Sequence, residues 1–394
     1  MNFSRIKKSQ KNLKYFYLTI LIIFCLALTS CGPGSTVNTE NAGNMENNTG
    51  VNSENTTISD QNGTEIQQEP LTDSKASAAA PAATTDPNHI VNPLTGLTNM
   101  DKSNAGKRPV AVMISNIKQA TPQSGINDVD MYYEIPAEGG ISRIMGIFAD
   151  VNKIPSVLGP IRSARDYYVS IADGYNCVFV HFGTSKTADT AIADYNVNDL
   201  ELMNLDSAWW EDSARKAKYG AEHSKMTSGD RLKKAISNKK YNMNTGINGG
   251  NVFDFYQENN FTAAGATLCN TISAKLSSAY AADFKYDQGT KLYGKNQFGA
   301  PFVDDKGKQV KVTNVIVIYT NITVLNDSAG HLAVDLSSGK GYYASGGKCK
   351  EIKWSKGNFT NPIKYYNTDG TDLTVNAGKT YVCVVSDAKN VSIS

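Results

Sequence analysis

The chain has 394 residues, of which 40% are hydrophobic and 19% are charged, and its formal net charge is +2. This composition is typical of a soluble protein with folded cores, and it excludes a wholly disordered or fibrous chain. The small net charge argues against nucleic acid as the main partner, because binding through counterion release needs a dense basic surface.

The small net charge results from cancellation between three regions of opposite charge balance. Residues 1–31 contain five basic and no acidic residues, whereas residues 32–88 contain eight acidic residues and a single lysine. The remaining 306 residues contain 33 basic and 29 acidic residues, an excess of +4. We therefore expect an acidic segment joined to a mildly basic folded part.

The N-terminal segment predicts a lipid anchor. A basic stretch over 1–14 precedes an apolar run of 14 residues, 15–28, which is shorter than the roughly 20 residues of a membrane span. The run ends in Leu28-Thr29-Ser30-Cys31, which resembles the lipobox of bacterial lipoproteins; the alternative is an uncleaved anchor with an incidental cysteine. We expect residues 1–31 to be a lipoprotein signal peptide and Cys31 to carry lipid at the outer face of the cytoplasmic membrane.

Residues 32–88 are rich in Ser, Thr, Asn and Ala, and contain no aromatic residue. Such a segment buries too little apolar surface to offset the entropy of ordering. We predict a disordered acidic tether that separates the folded part from the membrane.

Residues 89–245 predict an α/β or α+β domain, because apolar runs alternate with helical patterns. Ser163 and Asp166 have the spacing of a capping box, which predicts that a helix starts there. The segment Gly183-Thr184-Ser185 predicts a second helix start. Strands are predicted over 109–114, 129–135, 143–148 and 177–182, and helices over 163–172, 188–195, 206–218 and 229–236.

Residues 246–394 predict a mainly antiparallel β domain after a short helix near 252–258. The predicted strands are 311–319, 341–344, 349–353, 362–366 and 380–385. Cys349 and Cys383 lie in separate predicted strands and are candidates for a disulfide, whereas Cys177 lies in an apolar run and is expected to be a buried thiol.

An ordered series of motifs is similar to the YerB-like lipoprotein family of bacteria, over about 300 residues. That family is described as having domains of unknown function, so the resemblance implies an envelope location and no reaction. Around His223 the chain departs from an Arg-x-Ala-Pro-His-Asn pattern, which leaves the role of this histidine open. The matching segments are 92–97, 108–113, 122–125, 133–134, 138–143, 159–165, 180–183, 314–317 and 377–380.

The strongest candidate for a ligand site is a set of residues near the two predicted helix starts. Arginines bind carboxylates and phosphates through paired N–H groups, and helix starts present unpaired N–H donors. Alternatively, Arg143 and Arg162 pair with Glu134 and Glu138 inside the fold. The candidate anion-binding residues are Arg143, Arg162, Ser163, Arg165, His181, Thr184 and Ser185.

Catalytic motifs are weak. The sequence has no nucleophile elbow, no phosphate-binding glycine loop and no zinc helix, and its four histidines are widely spaced, so we expect no metal and no cofactor. Glu134 and Glu138 are candidates for acid/base catalysis. The pair Trp209-Trp210, placed by the pattern on a helix, offers one ring for the core and one for a ligand; the alternative is that both rings are tucked under a loop.

Two functional hypotheses remain. The first is a non-enzymatic surface lipoprotein that binds an anionic envelope ligand, such as a wall polymer, or a protein partner. The second is an envelope hydrolase or transferase that uses Glu138, Arg143, Arg162 and His181. Convergence of these side chains on an open pocket with an unpaired carboxylate favours the enzyme, whereas mutual pairing argues against it.

Overall fold

The computed structural model describes residues 87–248, 250–256, 259–260 and 265–394, which all lie in one compact unit over 78–394. The predicted signal peptide and tether, apart from residues 87–88, lie outside the described residues, and so does Cys31.

The first half of the folded part alternates strands and helices, as the sequence predicts. The segment VAVMIS forms a six-residue strand that is buried along its whole length. The helices are α1 (Asp166–Gly174), α2 (Lys186–Asp194), α3 (Ser213–Tyr219) and α4 (Gly229–Lys239). The strands are β1 (His89–Val91), β2 (Thr98–Asp101), β3 (Val110–Ser115), β4 (Met131–Pro136), β5 (Ser142–Phe148), β6 (Val178–His181), β7 (Asp199–Glu201), β8 (Trp210–Glu211) and β9 (Lys225–Met226).

The second half consists of strands joined mainly by tight turns. They are β10 (Asp254–Phe255), β11 (Thr267–Leu268), β12 (Thr271–Lys275), β13 (Ala281–Asp287), β14 (Leu292–Gln297), β15 (Ala300–Pro301), β16 (Lys311–Val312), β17 (Asn314–Tyr319), β18 (Ile322–Val324), β19 (Leu332–Val334), β20 (Ser338–Ser345), β21 (Lys348–Ser355), β22 (Lys364–Tyr366), β23 (Thr374–Val375), β24 (Thr380–Val385) and β25 (Val391–Ile393).

Both halves contribute to one central sheet of 11 strands. Its order is β11-β21-β20-β17-β24-β4-β5-β3-β6-β7, and β22 pairs with β21. The junction is β24, which runs parallel to β17 on one side and to β4 on the other. A second sheet, β15-β14-β13-β12-β25 with β16 beside β14, is antiparallel. The domain boundary near residue 245 stays a prediction.

The central sheet is covered on both faces, which explains its continuous apolar strands. Along β3, Val112 packs in the same apolar cluster as Phe284 of the second sheet and Leu232 of α4. The next residue, Met113, packs in the opposite cluster with Tyr168 of α1. Alternate side chains of a strand point to opposite faces, so the layers are α1 and α2, the central sheet, and the second sheet with α4.

The structure confirms the fold class, an α/β first part followed by a mainly antiparallel β part, and it corrects four local predictions. The predicted helix over 206–218 is broken, because Trp210 lies on the extended strand β8 and α3 starts only at Ser213. Residues 252–256 contain strand β10 instead of a helix. The residue that caps α1 is Arg165, not Ser163, and its side chain makes no capping bond.

The proposed disulfide between Cys349 and Cys383 is the fourth correction. The four cysteines of the described residues are free and buried. The thiol of Cys349 instead contacts the thiol of Cys269 and lies 3.6 Å from Thr267 Oγ1. Within the described part of the chain, no helix combines the length and apolar character that crossing a membrane requires.

Candidate functional site

The predicted site residues lie along one edge of the central sheet. Strands β3, β6 and β7 are parallel, and β4 has the same direction because β5 runs antiparallel to both β3 and β4. The four strands therefore end at the edge where β5 begins. Ligands of α/β sheets commonly bind outside this carboxyl edge.

At the centre of this edge, Glu138 lies between two buried arginines. Its Oε1 is 2.6 Å from Arg143 Nη2 and also accepts a hydrogen bond from Arg165 Nη2, while Oε2 accepts from Arg165 Nε at 2.9 Å. Burial alone raises the pKa of this carboxyl, but the two guanidinium groups outweigh burial and lower it to about 2. Glu138 is therefore a fixed counter-charge.

The third arginine is held by an exposed carboxylate. Arg162 Nη1 lies 2.9 Å from Glu222 Oε2, and the side chain of Glu222 is 60% exposed. The other oxygen of Glu222 is 3.2 Å from Nε2 of the buried His223. Burial lowers the pKa of His223. We call Arg143, Arg162, Arg165, Glu138, Glu222 and His223 the arginine cluster.

Three nitrogen atoms of the arginine cluster are buried and make no hydrogen bond. They are Nε of Arg143, Nε of Arg162 and Nδ1 of His223. The side chains of Arg143 and His223 are only 3% and 5% exposed. Buried polar groups are normally paired, because a lost partner costs roughly 1–3 kcal/mol. The cluster thus retains hydrogen-bonding capacity that its own residues do not use.

His181, at the end of β6, belongs to a separate ion pair. Its Nε2 is 3.1 Å from Asp199 Oδ2, and its Nδ1 is 3.3 Å from Glu201 Oε2. Burial by itself lowers the pKa of His181, but the two carboxylates outweigh it and raise the pKa to about 9. The ring is completely buried, and its raised pKa favours the charged form at neutral pH.

The hydroxyl groups of Thr184 and Ser185 bond locally, whereas Ser163 contacts the arginine cluster through its backbone carbonyl. Ser185 caps α2 by accepting a hydrogen bond from the Ala188 N–H at 3.2 Å, and Thr184 donates to Asp189 at 2.5 Å. The carbonyl of Ser163 accepts from Arg143 Nη1. None of these three hydroxyls bonds to the arginine cluster, so the structure brings together the arginines but not Thr184 or Ser185.

Glu134 lies in a different set of contacts below the edge, and we call that set the core network. Glu134 Oε1 accepts from Asn116 Nδ2 (2.6 Å) and Ser142 Oγ (2.7 Å). Its Oε2 accepts from Tyr381 OH (2.6 Å) and is 3.3 Å from Lys295 Nζ. All five side chains are fully buried. No local pattern in the sequence marks Lys295, Asn116 and Tyr381 as partners of Glu134, because they come from three distant segments.

The tryptophan pair does not form an open platform. Trp209 packs edge-on against Phe182 with ring centroids 4.9 Å apart, and Lys225 Nζ lies 5.0 Å from the centre of the Trp209 ring. Trp210 lies under the guanidinium of Arg231 at 5.3 Å. Among the residues that the structure describes, no group of three or more His, Cys, Asp or Glu side chains is arranged to hold a metal ion.

Comparisons with known proteins cover both halves of the chain. Residues 94–242 match the family described as "Protein of unknown function (DUF3048) N-terminal domain", and residues 272–382 match its C-terminal domain. "Putative lipoprotein YerB" of Bacillus subtilis (strain 168) is 31% identical over 310 residues, which are 77% of this chain and 88% of that protein.

The crystal structure of the YerB protein from Bacillus subtilis has a similar fold. It matches with a TM-score of 0.66 at 28% sequence identity, over 77% of this chain and 99% of that chain. The sequence and structural matches extend across both halves of the folded part. The chain therefore belongs to the DUF3048 family of proteins of unknown function, together with YerB.

Proposed function

We propose that this protein is a lipid-anchored, extracytoplasmic binding protein whose arginine cluster takes up the acidic group of an envelope ligand. Anchoring is supported by the basic and apolar segments before Cys31 and by the name of the related YerB, which calls that protein a putative lipoprotein. Lipid on Cys31 would hold the folded part at the outer face of the cytoplasmic membrane.

The observation that carries the binding proposal is the set of three unpaired nitrogens in the arginine cluster. Two of them, Arg143 Nε and Arg162 Nε, are N–H donors beside positive charge, which is the chemistry that recognises carboxylate or phosphate oxygens. The cluster contains three guanidinium groups and two carboxylates, so an added anion moves its charge toward neutrality.

Glu222 supplies a route for the ligand to enter. It is the most exposed member of the cluster, and its carboxylate already occupies the bonding positions of Arg162 Nη1 and His223 Nε2. An exposed ion pair contributes at most about 1 kcal/mol, so an external carboxylate or phosphate can replace Glu222 at small cost. Glu222 thus acts as an internal substitute for the ligand's acidic group.

His223 adds a preference for ligands that carry a hydrogen-bond donor as well as the acidic group. Burial favours its neutral form, and Nε2 faces the carboxylate of Glu222, so Nδ1 is an acceptor. A hydroxyl or amide N–H adjacent to the acidic group would satisfy it. Peptides with a free carboxylate and polyol phosphates both combine these groups, and both occur in bacterial wall polymers.

The enzymatic alternative receives less support from the geometry. Glu138 is bonded to two arginines with a pKa near 2, and His181 is buried between two carboxylates with a pKa near 9. Neither group is poised to exchange a proton near neutral pH. Glu138 pairs with Arg143, Arg162 pairs with Glu222, and His181 pairs with Asp199 and Glu201, so the hypothesis has no unpaired carboxylate to act as a catalytic acid or base.

Calorimetric titration of the whole chain in detergent tests the binding proposal. The probes are inorganic phosphate, a glycerol phosphate oligomer and a muropeptide with a free carboxylate. We expect Arg162→Ala to weaken binding at least about tenfold, because a charge-assisted hydrogen bond contributes about 1.5–3 kcal/mol. Glu222→Gln should strengthen binding, since it removes the competing charge.

Lys218→Ala is the matched control, because it removes one positive charge from the nearby helix α3 without changing the arginine cluster. Equal losses for Arg162→Ala and Lys218→Ala would indicate general charge attraction rather than a site. Absence of binding to all three probes would contradict the proposal for small ligands. In that case, crosslinking in intact membranes tests an acidic segment of a protein partner.

A further inference from the structure

The core network contains an amine in an unusual position. Lys295 is completely buried on β14, and its Nζ lies 3.3 Å from Glu134 Oε2 and 3.8 Å from the centre of the Phe302 ring. Burial lowers the pKa of this amine. Lysines are seldom fully buried, and a buried lysine is the form in which the amine is available as a nucleophile.

A carboxamide contacts the same groups as this amine. Asn116 Nδ2 is 2.6 Å from Oε1 of Glu134, the second oxygen of the carboxylate that Lys295 faces. Asn116 Nδ2 is also 3.2 Å from Gln297 Oε1, which accepts a hydrogen bond from Lys295 Nζ. The amine and the carboxamide therefore converge on two shared partners in a dry part of the core.

We propose that Lys295 and Asn116 react to form an intramolecular amide bond. Nζ of Lys295 attacks Cγ of Asn116, the bond between Cγ and Nδ2 breaks, and ammonia leaves. Glu134 takes one proton from Nζ of the neutral amine and delivers that same proton to Nδ2, so the carboxylate is restored when ammonia has left. One N–C bond replaces another, and no oxidant, metal or cofactor is required.

The positions of the other groups are consistent with this reaction. The carboxylate bridges the attacking and the leaving nitrogen, as a proton carrier must. Tyr381 and Ser142 fix both of its oxygens by hydrogen bonds. Holding the two reactants in one geometry replaces a bimolecular encounter, which is why an amine and a weakly reactive carboxamide can combine inside a fold.

The bond would join the two layers of the molecule. Asn116 directly follows β3 of the central sheet, whereas Lys295 lies on β14 of the second sheet. A second buried lysine, Lys356, provides an internal comparison, since it donates to the backbone carbonyls of Asn358 and Phe359. These hydrogen bonds go to backbone carbonyls and not to a carboxylate shared with a carboxamide, so we expect Lys356 to stay unmodified.

Mass spectrometry of tryptic peptides tests the bond. The whole chain is purified in detergent and denatured before digestion. Trypsin releases residues 108–118 and, when Lys295 is free, residues 292–295. The proposed bond blocks cleavage at Lys295 and joins peptide 108–118 to peptide 292–306. The mass of the joined peptide is about 17 Da, one ammonia, below the summed masses of 108–118 and 292–306. We expect the joined peptide to replace the two free peptides.

Each outcome is decisive. Free peptides 108–118 and 292–295 alone, in protein with a native circular dichroism spectrum, would overturn the proposal. A loss of ammonia confined to 292–306 would place the bond at Gln297 and overturn its assignment to Asn116. Asn116→Asp should give the same joined peptide by loss of water, whereas Asn116→Ala should give none. Lys356→Met, the control, should leave the joined peptide unchanged.

Discussion

The core network and the arginine cluster are both built from buried cations and carboxylates, yet they differ in completeness. In the core network, each oxygen of Glu134 has two partners, and the residues are fully buried. In the arginine cluster, three nitrogens have none, and one carboxylate is largely exposed. The difference teaches that complete pairing of buried charges suits a structural role, whereas the unpaired nitrogens beside an exposed carboxylate are the basis of the proposed ligand site.

The largest effect should come from removing the carboxylate of the core network. Glu134→Ala leaves Lys295 buried without its counter-charge, so we expect the free energy of unfolding to fall by about 3–5 kcal/mol. Compared with protein in which Lys295 is unmodified, Lys295→Met should cost less, because Glu134 keeps three neutral donors. Denaturant unfolding of both variants measures the difference. A loss below about 1 kcal/mol for Glu134→Ala would contradict the structural role of this network.

The next effect concerns Glu138, the fixed counter-charge of the arginine cluster. Its folded pKa, about 2, lies below its ordinary value of 4.5, so its stabilising contribution is present above pH 4.5 and is lost as the pH falls toward 2. We expect the wild type to lose about 2–3 kcal/mol of stability over that range from this group. Glu138→Gln should start from a lower stability and lose less on acidification.

The control for this measurement is Asp230→Asn. Asp230 makes an exposed ion pair with Lys233 in α4, and its side chain is 92% exposed. Exposed pairs contribute little, so the acid dependence of Asp230→Asn should match the wild type. An unchanged acid dependence in Glu138→Gln would show that the two arginines do not rely on this carboxylate.

His181 should produce a smaller effect of opposite direction. Its folded pKa, about 9, lies above the ordinary value of 6.5, so its contribution is complete below pH 6.5 and is lost as the pH rises through 9. We expect a decline on the order of 2 kcal/mol in the wild type between these values, and a flatter profile in His181→Gln. A decline in His181→Gln as steep as that of the wild type would contradict the role of this ion pair.

The sequence predicted the strands of the central sheet well because their apolar runs are local signals. It did not predict that β24 inserts beside β4, since that pairing joins the two halves of the chain and depends on tertiary packing. The break in the helix predicted over 206–218 also arises from packing, because Trp209 turns inward against Phe182.

The site was predictable to a similar degree. The charge pattern identified Arg143, Arg162 and Arg165 as a group, and the alternative of internal pairing correctly named Glu138 as a partner of Arg143. Pairing of these arginines with Glu134 was wrong, because Glu134 is directed to Lys295. Glu222 was missed, since an exposed glutamate carries no signal in the sequence until its distance to Arg162 is known.

The smallest effect distinguishes the two predicted helix starts. Ser185 accepts a hydrogen bond from the third N–H of its helix, so Ser185→Ala should cost about 1 kcal/mol of stability. Ser163 was predicted to cap α1 in the same way, but Arg165 occupies that position, and we expect Ser163→Ala to change stability by less than about 0.5 kcal/mol. Equal losses in the two variants, measured by urea unfolding, would restore the capping box at Ser163. They would also place Arg165 inside the first turn of α1 instead of at its capping position.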